Sequence, residues 1–137
     1  MSVNNQHFLV VTALGSDHIG ILEAFTKTSK LAGCNIIESK LATIGEECSL
    51  LLHIEGTWNT VAKLEAALPP LAEQFGFAIQ SKRTLPRKNK PALPYQVQVI
   101  AQDRPGILNE LALFLCNKVL ASIRWTVRPM MQRIRRK

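Results

Sequence analysis

Two short turns carry the residues best suited to holding a small anion. Asp17-His18-Ile19-Gly20 and Asp103-Arg104-Pro105-Gly106 stand 86 residues apart, each between an apolar run and a segment opening on Ile-Leu. A bound anion needs donors, and a cationic group beside it needs acceptors. The first turn of a helix offers unpaired N–H groups and a dipole that favours an anion. Asp17 and Asp103 can accept from an ammonium, and equally can cap the helices that follow them. Gly20 and Gly106 let a backbone approach closely. Arg104 can clamp a carboxylate through two nitrogens, or stand solvated on its turn. Asn35 offers both donor and acceptor, for a ligand or for a strand start.

Other chemistries lack their residues. His7, His18 and His53 have no i, i+4 partner and no Cys at metal-ligand spacing, so no metal is expected. No Ser, Cys and His arrangement supports a nucleophile. Neither glycine-bearing turn has the G-x-x-x-x-G-K-[ST] pattern of a phosphate loop. The expectation is a binding protein without a cofactor, not an enzyme.

The elements that must position these turns follow from periodicity. Residues 7–13 are an apolar run and read as a buried strand. Gly15-Ser16-Asp17-His18 is a turn with Ser16 or Asp17 as cap. From Ile19 a helix presents Ile21, Leu22, Phe25 and Leu31, and Gly33 stops it. Cys34–Ile44 alternates loosely and ends at Gly45-Glu46, a hairpin turn. Glu47–Glu55 is a strand dense in leucine. Thr57 caps a helix with Trp58, Val61, Leu64, Ala67 and Leu68 on one face, and Pro69-Pro70 ends that helix or begins its last turn afresh. Phe75–Lys82 closes as a strand. The order β-α-β-β-α-β is an α+β, split βαβ arrangement with two helices on one face of an antiparallel sheet.

Residues 84–94 hold three prolines and three charges and read as an exposed linker. The pattern then restarts: strand 95–101, a turn, and a helix with Pro105 at or near its first position and Ile107, Leu108, Leu111, Ala112, Phe114 and Leu115 on its face. It does not finish. The 86-residue offset that should bring a second Gly33-Cys34-Asn35-Ile36 lands on Val119-Leu120-Ala121-Ser122. A one-nucleotide slip would account for this: codons AAA GGT GTT AGC ATC can encode Lys-Gly-Val-Ser-Ile, and read from the second base they give Lys-Val-Leu-Ala-Ser, the sequence of 118–122. The organisation expected is one full unit over 1–83, the linker 84–94, a partial second unit over 95–118 and a divergent basic tail over 119–137.

The net charge of +7 is unevenly spread. Residues 1–81 carry four lysines against eight acids, whereas 118–137 carry seven bases and no acid. Arg124 to Lys137 with Trp125 could hold nucleic acid non-specifically, but basicity confined to a linker and a tail more simply marks solvated segments. No apolar run approaches the roughly 18 residues needed to span a bilayer, and Met1–His7 lacks the features of a signal peptide, so no membrane association is expected. Three scattered cysteines, Cys34, Cys48 and Cys116, fit a reduced cytoplasm.

Asp103-Arg-Pro-Gly-Ile-Leu, with Gly33-Cys34-Asn35-Ile36 after the first helix and two copies in register, resembles the ACT-domain family. Across about residues 5–118 it is similar, more narrowly, to the tandem-ACT repressors of glycine cleavage. That resemblance implies a ferredoxin-like βαββαβ unit that senses an amino acid, glycine in that branch, and pairs through its edges with another copy. It places the ligand between the β1–α1 loop of one unit and the G-x-N-I segment of its neighbour. It also implies repression through a LysR-type activator without direct DNA readout. Where the family motif has Arg-Pro, the first copy has His18-Ile19. Two other readings stand beside it: a regulatory ACT module of an amino-acid-pathway enzyme, and a basic nucleic-acid-binding protein.

Overall fold

A computed structural model describes residues 5–16, 20–86, 93, 96–102 and 104–116. Asp17, His18, Ile19 and Asp103 lie outside the described residues, as do most of the linker and the whole basic tail with Trp125. The chain divides into two compact units, Met1–Lys88 and Asn89–Lys137.

In the first unit β1 (His7–Ser16) leads to α1 (Ile21–Ala32), then β2 (Asn35–Ile44), β3 (Glu47–Gly56), α2 (Trp58–Phe75) and β4 (Ala78–Thr84). The strands form one antiparallel sheet in the order β2-β3-β1-β4. This is the ferredoxin-like arrangement that the sequence implies. Alternation in β1 and β3 sets the layers. Leu9, Val11, Ala13, Leu50, Leu52 and Ile54 are buried and pack with Ile21 and Phe25 of α1 and Val61, Leu64, Leu68 and Leu71 of α2. The intervening residues, Phe8, Val10, Thr12 and Leu14 on β1 with Leu51 and His53 on β3, point to the face that neither helix covers.

Several boundaries differ from expectation, each for a physical reason. Ser16 is not a cap: β1 runs through Gly15 and Ser16, held by pairing to Cys48 and Glu47, and the residue before α1 is Gly20. Leu22 and Leu31 are exposed, Leu31 by 77%. The buried stripe of α1 is instead Ile21, Phe25 and Ser29, spaced by four, and Leu31 sits about 120° round the helix from Phe25. Ser29 is accommodated because its hydroxyl donates to the Phe25 carbonyl at 2.9 Å. Trp58 is also exposed, by 56%.

Pro69 and Pro70 neither end nor restart α2, which continues to Phe75. Both prolines are exposed, and Leu68 and Leu71 beside them are buried, so core packing carries the helix across two missing N–H donors. Its start is secured by a capping box. The Thr57 N–H donates to Thr60 Oγ1 at 2.8 Å, and Thr57 Oγ1 accepts from the Thr60 N–H at 3.3 Å. Gly76 closes it at φ 68°, so β4 begins at Ala78 and Phe75 belongs to the helix.

In the second unit residues 96–102 are exposed and form no strand, contrary to the expectation for 95–101. Helix α3 (Ile107–Cys116) does form, two residues after Pro105, from a turn in which the Ile107 N–H donates to the Arg104 carbonyl at 3.3 Å. Leu108, Leu113 and Phe114 are exposed.

Candidate ligand site

The first unit carries two of the segments in question at opposite ends of its sheet. His7 pairs with Gly56 and Ser16 with Glu47, while Asn35 pairs with Glu55. The β1–α1 turn therefore leaves one end of β1 and Asn35 sits at the other. At ~3.3 Å per residue they are about 30 Å apart. One unit cannot close a site on both. A ligand spanning them needs two units whose ends are brought together.

Gly20 precedes α1 at φ −99°, ψ 0°, an ordinary right-handed conformation, and its carbonyl accepts from the Ala24 N–H at 2.9 Å. The first turn of α1 thus starts without a capping side chain at Gly20. This is the arrangement in which early N–H groups can meet a carboxylate.

Asn35 opens β2 directly after Gly33, whose φ of 84° ends α1, and Cys34. The Asn35 amide donates to Glu55 Oε1 at 3.1 Å, with both side chains reaching the rim of the sheet. Glu55 adds a carboxylate beside Asn35, an acceptor suited to an ammonium. Sequence reasoning missed it, because counting back from the Gly45-Glu46 hairpin puts Glu55 opposite Ile36. A bulge between Ile36 and Glu38 shifts the register by one and places Glu55 opposite Asn35.

In the second unit Gly106 holds φ 88°, which favours glycine, and its carbonyl accepts from the Glu110 N–H at 3.1 Å. Arg104 stands exposed on its turn and is paired there. Its two terminal nitrogens donate to the two oxygens of Glu110 at 3.2 and 2.6 Å, in an exposed pair. The guanidinium therefore has carboxylate-binding geometry, already engaged by its own helix. A ligand carboxylate would have to displace Glu110, at a cost of about 1 kcal/mol or less for an exposed pair. Pro105 completes this turn, exposed.

A further cluster escaped the sequence reading because its members are far apart in the chain. Arg83 on β4 lies 4.1 Å over the Trp58 ring and donates through Nε and Nη2 to Glu65 Oε1 at 3.0 and 2.5 Å. His7 meets the Trp58 ring edge-on at 5.7 Å. These contacts fasten α2 to the edge strand β4, and the cation–π and ion-pair geometry explains why arginine stands there.

Against known proteins, the ACT domain profile matches residues 7–82, more than half of the chain. The chain belongs to the ACT-domain family. This ACT chain is 38% identical over 117 residues to the glycine cleavage system transcriptional repressor of Escherichia coli (strain K12), and equally to that of Shigella flexneri. Each match takes in 83% of the chain and 61% of the relative, so the chain spans about three fifths of those proteins' length. Among solved structures it is similar to a candidate glycine cleavage system transcriptional repressor, with TM-score 0.64 and 29% identity over 82% of this chain and 66% of that one. It also shares the fold of an ACT domain protein from Streptococcus pneumoniae, with TM-score 0.51 and 14% identity over 56% of this chain and 89% of that one. No helix among the described residues is long and apolar enough to cross a membrane.

Proposed function

We propose that this ACT chain is an amino-acid-sensing regulator, not an enzyme, which represses glycine cleavage genes by engaging a LysR-type activator and does not read DNA itself. The observation that carries the reading is the 38% identity to a repressor of that system across 83% of the chain. Residues 1–83 form the sensing ACT unit and 95–118 a partial second one.

The ligand is a small amino acid, glycine first. Its carboxylate meets the first turn of α1 after Gly20, with Asp17, His18 and Ile19 completing that loop. Its ammonium meets Asn35 and Glu55 of a neighbouring copy. The second turn, Asp103 to Gly106, offers an equivalent loop once Arg104 leaves Glu110. Exposed Ile37, Leu41 and Ile44 along the edge strand β2 support pairing of two copies through that edge, which shortens the distance between loop and G-x-N-I segment.

Isothermal titration with glycine and serine tests the sensing half, and pull-down of a LysR-type activator with and without ligand tests the regulatory half. Saturable heat with glycine, lost in Asn35→Ala, is the expected result. A folded sample that binds neither amino acid nor activator overturns the proposal.

A further inference from the structure

The strand register places four side chains in one row across the sheet face that neither α1 nor α2 covers. Lys82 of β4 pairs with Val10 of β1, Val10 with His53 of β3, and His53 with Glu38 of β2. The row therefore runs from a cation at one sheet edge, over a partly apolar centre, to a carboxylate at the other edge. Leu51 and Leu14 extend the centre, 40% and 54% exposed. Glu38 meets Lys40 at 3.4 Å through one oxygen, in an exposed pair, and Lys82 has no acidic partner among the described residues.

We propose that this face packs against the same face of a second copy, about a two-fold axis parallel to the strands. That rotation keeps each row at its own height and reverses its direction. Lys82 of one copy then meets Glu38 of the other twice over, and Val10 meets His53. A row bearing opposite charges at its two ends is complementary to itself, whereas a partner surface of a single sign would match one end and repel the other. The extent also fits. Ten-residue strands at ~3.3 Å and four strands at ~4.8 Å give a face of about 600 Å² per copy, or about 1,200 Å² for the pair, the lower bound of a stable specific interface. Facing sheets of this twist pack ~10 Å apart at about −30°, close enough for side chains of these lengths to interdigitate. The inference does not depend on the amino-acid reading, and it is a different contact from pairing along β2.

Sedimentation equilibrium of the full chain over a range of concentrations, with zero-length carbodiimide cross-linking of a mixture of ¹⁴N- and ¹⁵N-labelled protein, tests it. Within one chain Lys82 and Glu38 are three strand spacings apart, roughly 14 Å, too far for such a link. The expected product is a Lys82–Glu38 peptide joining light and heavy chains. Lys82→Glu should raise the dimer Kd about tenfold by setting like charges face to face at two symmetric positions, and Lys82→Glu with Glu38→Lys should restore it. Val10→Lys should abolish the dimer. If that variant does not fold, the charge-reversal pair decides alone. A chain that stays monomeric at every concentration overturns the proposal and leaves the face to another occupant. A dimer indifferent to Lys82→Glu and lacking the mixed-isotope link overturns it too, and assigns association to the β2 edge.

Discussion

The segment around β1 and the segment 95–108 are close copies in sequence, yet only one of them is built into a sheet. At the 86-residue offset Val11 corresponds to Val97, Ala13 to Val99, Ile21 to Ile107 and Phe25 to Leu111. Val11 and Ala13 are 1% exposed, and Val97 and Val99 are 65% and 51% exposed. The helices start at matching positions, Ile21 and Ile107. What differs is the strand. β1 hydrogen-bonds to β3 on one side and β4 on the other, whereas 96–102 is not in a ladder at all. A helix satisfies its backbone within itself. A strand has nothing to satisfy it until another arrives. The same local signal therefore yields a helix in both copies and a strand in one.

The largest expected break in this parallel comes from truncating the helix at its innermost position. Phe25 is 1% exposed and sits in the shared core, so Phe25→Ala should cost roughly 3–5 kcal/mol and lower the urea midpoint of the first unit steeply. The corresponding Leu111→Ala removes a side chain that is only half-buried, and should cost about 1 kcal/mol or less. Equal losses at the two positions in urea unfolding would show that the second helix is as deeply cored as the first.

How far the fold was legible follows the same division. Where a residue acts through its own neighbours in sequence, reading it was enough: Gly33 stops α1, Thr57 caps α2, and Gly45-Glu46 turns the hairpin. Leu50, Leu52 and Ile54 were legible by alternation. Where the outcome rested on distant partners, the sequence misled. Pro69-Pro70 reads as a stop or as the start of a fresh last turn, but the core beneath Leu68 and Leu71 carries α2 straight through. Ser16 reads as a cap, but β3 claims it as a strand residue. Of the candidate site, Asn35 and Gly20 could be named, but not their separation, nor Glu55, which a single bulged residue brings beside Asn35. Arg104 could be named as a carboxylate clamp, while the carboxylate it holds, Glu110, lies six residues on in its own helix.

A smaller break lies inside the strand. Gly15 corresponds to Ala101, so the second copy carries the methyl group that the first lacks. A Cβ at Gly15 would stand 2.8–2.9 Å from the Phe77 ring, which is buried against the sheet. Gly15→Ala should therefore cost about 1–3 kcal/mol through displacement of Phe77, read as a fall in the first unit's melting temperature. No such ring is required at Ala101, and Ala101→Gly should change stability by about 0.5 kcal/mol or less. A neutral Gly15→Ala would mean that Phe77 swings aside without loss.

The smallest and sharpest contrast is between the two glycines that precede the helices. Gly20 and Gly106 share a position in the repeat but not a conformation: φ is −99° at Gly20 and 88° at Gly106. At Gly20 an alanine finds an allowed backbone, and the substitution should be neutral or slightly stabilising, because it narrows the unfolded ensemble. At Gly106 nothing lies within 4 Å of where a Cβ would stand, so space is not the obstacle. The obstacle is the left-handed backbone itself, which costs an L-residue roughly 1–2 kcal/mol. Gly106→Ala should therefore weaken α3 by about that amount and lower its share of the far-ultraviolet circular dichroism, while Gly20→Ala leaves the spectrum unchanged. If both alanines behave alike, the two turns share one backbone in solution, and the repeat extends from residue types to geometry. If they differ as expected, the second turn owes its shape to a glycine in a left-handed conformation that the first turn does not share. The motif Asp103-Arg104-Pro105-Gly106 would then be the more strictly specified of the two loops, although residues 96–102 before it pair in no ladder.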